Sequence, residues 1–124
     1  MTQPIRVIVA NRPRLMRDLV LETIIEQPDI EVVGEIKDEV EIVDAVEKMR
    51  PDFLIITLDE SNRRPPLCDL LLRRYPEMRI LALAPERNSS IFYWGSFDIH
   101  ESPEEASEVG LLSTLRRKDL CVGG

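Results

Sequence analysis

The chain has 124 residues, of which 44% are hydrophobic and 31% charged, and its formal net charge is -7. One domain of this length can bury a hydrophobic core. The acidic balance argues against a nucleic-acid-binding surface, which needs clustered Lys and Arg, and against electrostatic binding to anionic membranes. No apolar run approaches the roughly 18 residues of a membrane span.

The cysteines and the N-terminus bear on where the protein works. Cys68 and Cys121 lie far apart in the sequence and match no metal-binding spacing, which favours two reduced thiols. The first strand begins at about Ile5, which leaves no room for a signal peptide. We therefore expect a cytoplasmic protein.

A short apolar run, Phe53 to Ile56, is the centre around which the other elements are arranged. It follows a turn signal and precedes a polar loop, as expected for a strand buried on both faces of a parallel sheet. Ligands of such sheets bind beyond the carboxyl ends of the strands, and here that position belongs to Thr57.

The first half of the chain predicts two strand–helix units. Residues 5–10 are apolar and β-branched, which indicates a strand, and residues 30–36 indicate a second strand at a sheet edge. Between them, apolar residues recur with helical spacing after Pro13, and Asn11 is a candidate N-cap. A second helix follows Asp38, with apolar residues at Val40, Val43, Val46 and Met49.

The second half predicts further elements of the same kind. We expect a helix over residues 66–75 and a strand over 79–84, whereas residues 91–94 fit either a strand or one helical turn. A short fifth strand is predicted over residues 97–99. The run Ser102-Pro103-Glu104-Glu105 has the residue types of a helix start, and that helix should end near Lys118.

Alternating strands and helices predict an α/β fold with one domain over residues 1–118 and a flexible C-terminal tail over 119–124. The expected architecture is a five-stranded parallel sheet of order 2-1-3-4-5 with helices on both faces, the flavodoxin-like arrangement. The segment from Ala84 to Ile99 has room for one helical turn at most, so the fourth helix should be shortened or absent.

Several stretches together resemble a response-regulator receiver domain of two-component signalling, over roughly residues 4 to 118. The matching pieces are IRVIVANRPRLMRDLV, DIEVVGEIKDEVEIVDAVEKMRPDFLIITLD, YPEMRILALA and SPEEASEVGLLSTLRR. Receivers take a phosphoryl group from a phosphohistidine onto an aspartate in a phosphorelay. They use an acidic pair that holds Mg²⁺, the acceptor aspartate, a Thr or Ser, and a lysine.

Every one of these family positions is changed here. The acidic pair falls on Asn11 and Arg12, and the phospho-acceptor falls on Thr57. The hydroxyl position falls on Ala84, and the lysine falls on Ile99, or on His100 if the register slips by one. The resemblance therefore implies a degenerate phospho-acceptor pocket, a "pseudo-receiver" with no catalytic residue, no metal and no cofactor.

Asp59, two residues past Thr57, is a possible substitute acceptor, although we expect its side chain to point elsewhere. A hydrogen bond from Thr57 to Arg12 or Asn11 is the simplest role for the threonine. The side chain of Arg12 could pair with an acid such as Asp59 or Asp38.

Aromatic residues are concentrated where the fourth helix is shortened: Phe92, Tyr93, Trp94 and Phe97. Two interpretations remain open. They fill the core in place of the lost helix, or they form an exposed surface that binds a partner.

We expect a non-enzymatic signalling module that acts by protein–protein interaction, with a kinase or regulator as partner or as a homodimer. The alternative is a sensor of a small anionic ligand, a nucleotide or phosphate. Its site would combine Arg12, Asn11 and Thr57 with Arg63 and Arg64 of a neighbouring loop.

Overall fold

Strands and helices alternate along the first two thirds of the chain. The computed structural model describes residues 3–58, 63–84, 89–95, 99–105 and 107–116. The elements are β1 (Ile5–Val9), α1 (Arg14–Ile25), β2 (Ile30–Glu35), a 3-10 turn (Glu39–Glu41), α2 (Ile42–Met49), β3 (Phe53–Thr57), α3 (Pro66–Arg74), β4 (Arg79–Ala84), β5 (Ser89–Gly95), β6 (Ile99–Glu105) and α4 (Glu108–Arg116).

All the described strands belong to one six-stranded sheet of order β2-β1-β3-β4-β5-β6. β1 pairs in parallel with β2 and β3, and β3 pairs in parallel with β4. Residues Phe53 to Ile56 of β3 are buried, so the predicted central strand is confirmed. The α/β class, the order of the first four strands and the helices on both faces are confirmed as well.

The far side of the sheet corrects the prediction in strand number and direction. β5 pairs antiparallel with β4, and β6 pairs antiparallel with β5, so the sheet has six strands and is not wholly parallel. The ambiguous residues 91–94 lie in β5. Phe97, placed in the predicted fifth strand, lies outside the described residues.

The predicted helix start at Ser102-Pro103-Glu104-Glu105 is wrong, because these residues form part of β6. β6 is an edge strand of the sheet, and edge strands tolerate proline, because half of their backbone N–H groups point to solvent and make no hydrogen bond to a neighbouring strand. Pro103 is therefore compatible with its place in β6. The helix begins at Glu108 instead, and the Ser107 hydroxyl accepts a hydrogen bond of 3.0 Å from the Gly110 N–H. Residues 117–124, with the predicted tail, lie outside the described residues.

The prediction that the helix after β4 is shortened or absent is confirmed. The next element, β5, pairs antiparallel with β4 and so does not need a crossover helix. β4 and β5 are paired from Ala84↔Ser89 to Arg79↔Trp94. The chain between them, residues 85–88, lies outside the described residues.

Two hydrophobic clusters lie on opposite faces of the sheet. One contains Val20 and Ile24 of α1 and Leu111 and Leu115 of α4, packed on β1, β3, β4 and β5. The other contains side chains of α2 and α3, among them Val46 and Leu71. Within the described residues, no helix is long and apolar enough to cross a membrane.

Candidate functional site

The carboxyl ends of β1, β3 and β4 bring three of the predicted site residues to one edge of the sheet. Asn11 follows β1, Thr57 ends β3 and Ala84 ends β4. β1 and β3 run in register with Val9 beside Ile55, so the two chains continue side by side towards Asn11 and Thr57. We call this edge, with its residues Asn11, Arg12, Thr57 and Ala84, the carboxyl-end site.

The hydroxyl of Thr57 is engaged by the backbone of Arg12. It accepts a hydrogen bond of 2.5 Å from the Arg12 N–H and lies 3.2 Å from the Arg12 carbonyl oxygen, to which it donates. The peptide bond between Arg12 and Pro13 is cis. The expected contact between Thr57 and Arg12 is therefore confirmed, and both functions of the hydroxyl, donor and acceptor, are used within the protein.

Asn11 is the buried polar residue of the carboxyl-end site, with 1% of its surface exposed. Within the described part of the chain, its amide nitrogen and amide oxygen have no hydrogen-bond partner. Pro13, not Asn11, is the N-cap residue of α1, so the predicted capping role is wrong. An unpaired buried amide costs free energy and marks this position as unusual.

The two arginines nearest this site face acids. The Arg12 guanidinium lies 4.0 Å from the Glu39 carboxylate at the surface, which is a different acid from Asp38 or Asp59. Arg17 is 4% exposed, and its Nε donates to Glu35 at 2.8 Å. Its Nη1 also donates to the Asn11 carbonyl oxygen at 3.4 Å.

The loop arginine proposed for anion binding is also paired. Arg64 donates to both carboxylate oxygens of Asp69, at 2.6 and 3.3 Å. This hydrogen bond, opposed in part by burial, raises the pKa of Arg64. Of the arginines of the predicted anion site, Arg12 and Arg64 are therefore directed to acids of the same chain.

The two candidates for the lysine position, Ile99 and His100, are not part of the carboxyl-end site. They open β6 and pair with Gly95 and Trp94, at the end of the sheet where β4 begins with Arg79. The prediction is wrong because it placed the last strand by counting back from a helix start that the structure does not have.

On β5 and β6, Ser90 and Glu104 lie in register with Thr57 across the sheet. The register runs from Thr57 to Leu83, then to Ser90 and Glu104. The Ser90 hydroxyl donates to the Glu104 carbonyl oxygen at 3.3 Å. The sequence carried no signal for this pair, because the hairpin that joins them was not predicted.

The side chain of Glu104 links β6 to α4. Its carboxylate accepts a hydrogen bond of 2.8 Å from the Ser102 hydroxyl and lies 3.3 Å from the hydroxyl of the buried Thr114.

An Mg²⁺ ion bound as in a receiver does not fit the residues present here. Asn11 offers one neutral oxygen, Thr57 uses its oxygen in hydrogen bonds to Arg12, and Arg12 is a cation. Such a divalent ion prefers several hard, mostly anionic oxygen ligands. Among the described residues, no three His, Cys, Asp or Glu side chains cluster as a metal site. Asp59 lies outside the described residues.

The aromatic residues predicted as a partner surface mostly fill the core. Phe92 and Tyr93 are fully buried, on opposite faces of β5, so neither is exposed to a partner. Phe92 stacks on Phe53 with ring centroids 5.7 Å apart. Trp94 is partly buried and stacks on His100 at 5.2 Å. This outcome corrects the partner-surface interpretation for Phe92 and Tyr93.

Comparison with known proteins supports a receiver-like chain. No family model matches it. It is 29% identical over 115 residues to a protein-glutamate methylesterase/protein-glutamine glutaminase of Pyrococcus abyssi, covering 86% of this chain and 31% of the relative. A relative of the same name from Cupriavidus metallidurans is 32% identical over 117 residues, covering 87% of this chain and 32% of the relative.

Solved structures give the same result. The response regulator RcsB of Salmonella typhimurium superposes with a TM-score of 0.57 at 20% identity, over 67% of this chain and 44% of that chain, which shows the fold alone. The response regulator domain of Thermotoga maritima CheB superposes with a TM-score of 0.52 at 28% identity, over 63% of this chain and 58% of that one. The chain is similar to response-regulator receiver domains.

The receiver-like chain spans about a third of the length of the curated relatives, 31% and 32%. The activity given in the name of these relatives belongs to the whole relatives, and this chain matches only about a third of each of them. The β5–β6 hairpin is where this chain differs from a parallel five-stranded sheet.

Proposed function

We propose that this chain is a cytoplasmic pseudo-receiver, a non-catalytic signalling module that acts by protein–protein interaction without aspartyl phosphorylation. The supporting observation is the state of Thr57, whose hydroxyl is bound on both sides by the Arg12 backbone at the acceptor position. Its partner is a kinase, a regulator or a second copy of the chain.

The charge at the carboxyl-end site supports the same proposal. A receiver carries about three carboxylates in this place, and the matching residues Asn11, Arg12 and Thr57 carry one positive charge. The Arg12 side chain is 59% exposed and lies 4.0 Å from Glu39, which screens its charge, so the loss of the carboxylate ligands is the larger obstacle to a divalent cation. Phosphoryl transfer that depends on Mg²⁺ is therefore opposed by the side chains themselves.

The test is incubation with acetyl phosphate and Mg²⁺, followed by intact-mass measurement. We expect no gain of a phosphoryl group by the wild type or by the Thr57→Asp variant, because Asn11 and Arg12 do not supply the metal ligands. A phosphoryl gain that is lost on Asp59→Asn would overturn the proposal. The triple variant Asn11→Asp/Arg12→Asp/Thr57→Asp is the comparison that reintroduces the acids.

The buried amide of Asn11, which has no hydrogen-bond partner among the described residues, supports a second candidate, a sensor of a small anionic ligand at the carboxyl-end site. The pairing of Arg12 and Arg64 with acids weakens this candidate for a highly charged anion. Thermal unfolding with inorganic phosphate and with a nucleoside monophosphate tests it. A stabilisation seen in the wild type and lost on Asn11→Leu supports a ligand, and equal midpoints with and without these anions reject it.

A further inference from the structure

A groove of about 460 Å³ runs between α1 and α4 on one face of the sheet. Its apolar lining comes from both helices and from β4: Leu19, Val20, Leu81, Leu83, Leu111 and Leu112. Leu19 is 49% exposed although it lies within this apolar lining. Asn11, Arg12 and Thr57 do not line the groove, whereas Ala84 of the carboxyl-end site does.

The two helical walls of the groove are joined by an ion pair at one end. α4 begins at Glu108, and its last described residue, Arg116, donates to Asp29 at 2.7 Å and to Gln27 at 2.9 Å. The α1 wall of the groove is lined from Met16 to Glu26, and the α4 wall from Glu108 to Leu112.

Acidic side chains border the groove. Glu22 and Glu26 of α1 and Glu108 of α4 line it, and no Lys or Arg occurs among the described residues that do so. Arg116, beside Gln27 at one end, is engaged with Asp29. An apolar lining bordered by carboxylates is complementary to an apolar stripe flanked by Lys or Arg.

We propose that this groove, the α1–α4 groove, is the docking site for a basic amphipathic helix of a protein partner. The proposal rests on the function proposed above and specifies the partner's surface. A helix that places apolar residues at i, i+3, i+4 and i+7 can pack against both helical walls, in the helix-in-groove mode of peptide recognition.

Charge decides between such a partner and a second copy. A two-fold pairing of grooves would place the carboxylates of Glu22, Glu26 and Glu108 near their own copies, in a chain whose net charge is already -7. Like charges at an interface oppose association. A cationic helix meets the opposite situation, so we commit to a partner with excess Lys and Arg on the flanks of its apolar stripe.

The probe is a synthetic peptide of about 18 residues, long enough to form a helix, with Leu at helical spacing and Lys at the flanks. Two control peptides accompany it. In the first every Lys is replaced by Glu, and in the second the Leu positions are scrambled at constant composition. Binding to the full chain is measured by fluorescence anisotropy at low and at physiological salt.

Two groove variants are compared with variants on the opposite face. We expect Leu19→Ala to weaken binding of the Lys peptide at least about tenfold, as for a central interface anchor. Leu70→Ala on α3, where Leu70 is 48% exposed, is the matched control and should leave binding unchanged. Glu22→Gln/Glu26→Gln should weaken binding and reduce its salt dependence, whereas Glu41→Gln/Glu47→Gln should do neither.

Circular dichroism shows that each variant is folded before its binding is interpreted. The proposal is overturned if the scrambled or the Glu peptide binds as well as the Lys peptide, or if Leu19→Ala and Leu70→Ala act alike. It is also overturned if sedimentation shows a wild-type dimer that Leu19→Ala dissociates, because the groove then holds a second copy.

Acetyl phosphate treatment of the same samples separates the two proposals. A chain that binds the Lys peptide through Leu19 and also gains a phosphoryl group contradicts the pseudo-receiver and leaves the groove standing. A chain that gains no phosphoryl group and ignores the peptide contradicts the groove only.

Discussion

The guanidinium of Arg17, which is 4% exposed, donates from its Nε to Glu35 at 2.8 Å and so joins α1 to the end of β2. The Glu35 side chain is 37% exposed, which makes this a half-buried ion pair beside Asn11. Removing one partner of such a pair leaves the other charge buried and unpaired, which lowers the free energy of unfolding strongly. Replacing both partners by apolar residues of similar volume changes it much less.

We predict that Glu35→Ala lowers the free energy of unfolding by about 2 kcal/mol, because the Arg17 guanidinium is left without its carboxylate. The double variant Arg17→Met/Glu35→Leu should recover most of this loss. The exposed pair Arg14–Asp18, 3.7 Å apart, is the matched control, with a coupling below about 0.5 kcal/mol in the same double-mutant cycle. Urea unfolding measures all four states. Equal coupling in the two pairs would contradict the assignment of Arg17 as a buried partner.

Thr57→Val should lower the free energy of unfolding by about 1–2 kcal/mol, since valine keeps the shape but leaves the Arg12 N–H without its partner. Thr57→Ser keeps the hydroxyl and should cost less. Thr23→Val removes a hydroxyl that donates to Leu19 O within α1, and should change stability by less than about 0.5 kcal/mol. A Thr57→Val protein as stable as Thr57→Ser would show that the contact with Arg12 contributes nothing.

Arg50 has a left-handed backbone, with φ of 46°, at the C-cap of α2, and its guanidinium lies 4.7 Å above the centre of the Tyr75 ring. Arg50→Ala loses the cation–π contact and keeps the strained backbone, so it should be destabilising. Arg50→Gly loses the same contact but relieves the backbone, and should be more stable than Arg50→Ala by about 1 kcal/mol. Thermal unfolding compares the two. The opposite order would mean that position 50 is not left-handed in solution.

Cys68 is fully buried, and burial is the main cause that raises the pKa of its thiol from 9.0 to about 12. We predict that a thiol reagent at pH 8 does not modify Cys68 in the folded chain but modifies it fully in denaturant, in a Cys121→Ser background. As the pH rises, the thiol of the unfolded chain ionises at a lower pH than the buried thiol of the folded chain. The stability that neutral Cys68 contributes is therefore complete below pH 9.0 and is lost as the pH approaches about 12. Rapid modification of the native chain would contradict this burial.

Trp94 packs on Phe92 at a ring distance of 5.3 Å and on His100 across the hairpin. Trp94→Ala should therefore lower the free energy of unfolding by about 2 kcal/mol or more and leave the sedimentation behaviour unchanged. His100→Ala, which removes only the outer ring of the stack, should cost less. A stable Trp94→Ala chain with a changed association state would instead restore the partner-surface interpretation for this residue.

The sequence was sufficient for the part of the fold that is built from bounded runs with a clear period. The fully apolar Phe53–Ile56 run indicated its strand because nothing in it suggests an exposed face. The helix over Pro66–Arg74 begins with a proline in its first turn, which is a local signal that the tertiary structure keeps. The bond between Thr57 and Arg12 also followed, since β1 and β3 were expected side by side.

The β5–β6 hairpin could not be predicted from such local sequence signals. Ser102-Pro103-Glu104-Glu105 satisfies the local rules for a helix start, but pairing of these residues with Ser89 to Phe92 outweighs that preference. The misplaced Ile99 and His100 follow from this single error. The burial of the Asn11 amide without a hydrogen-bond partner among the described residues was also unforeseen, because it depends on the side chains that surround it in the fold.

The β4–β5–β6 hairpins also affect the route by which the chain folds. Each of these strands pairs with its neighbour in sequence, whereas β1 reaches β3 only across α1, β2 and α2. Closing short connections costs less chain entropy than closing long crossovers, so the contact order is low on one side of the sheet and high on the other. The strands synthesised last therefore have the shortest conformational search.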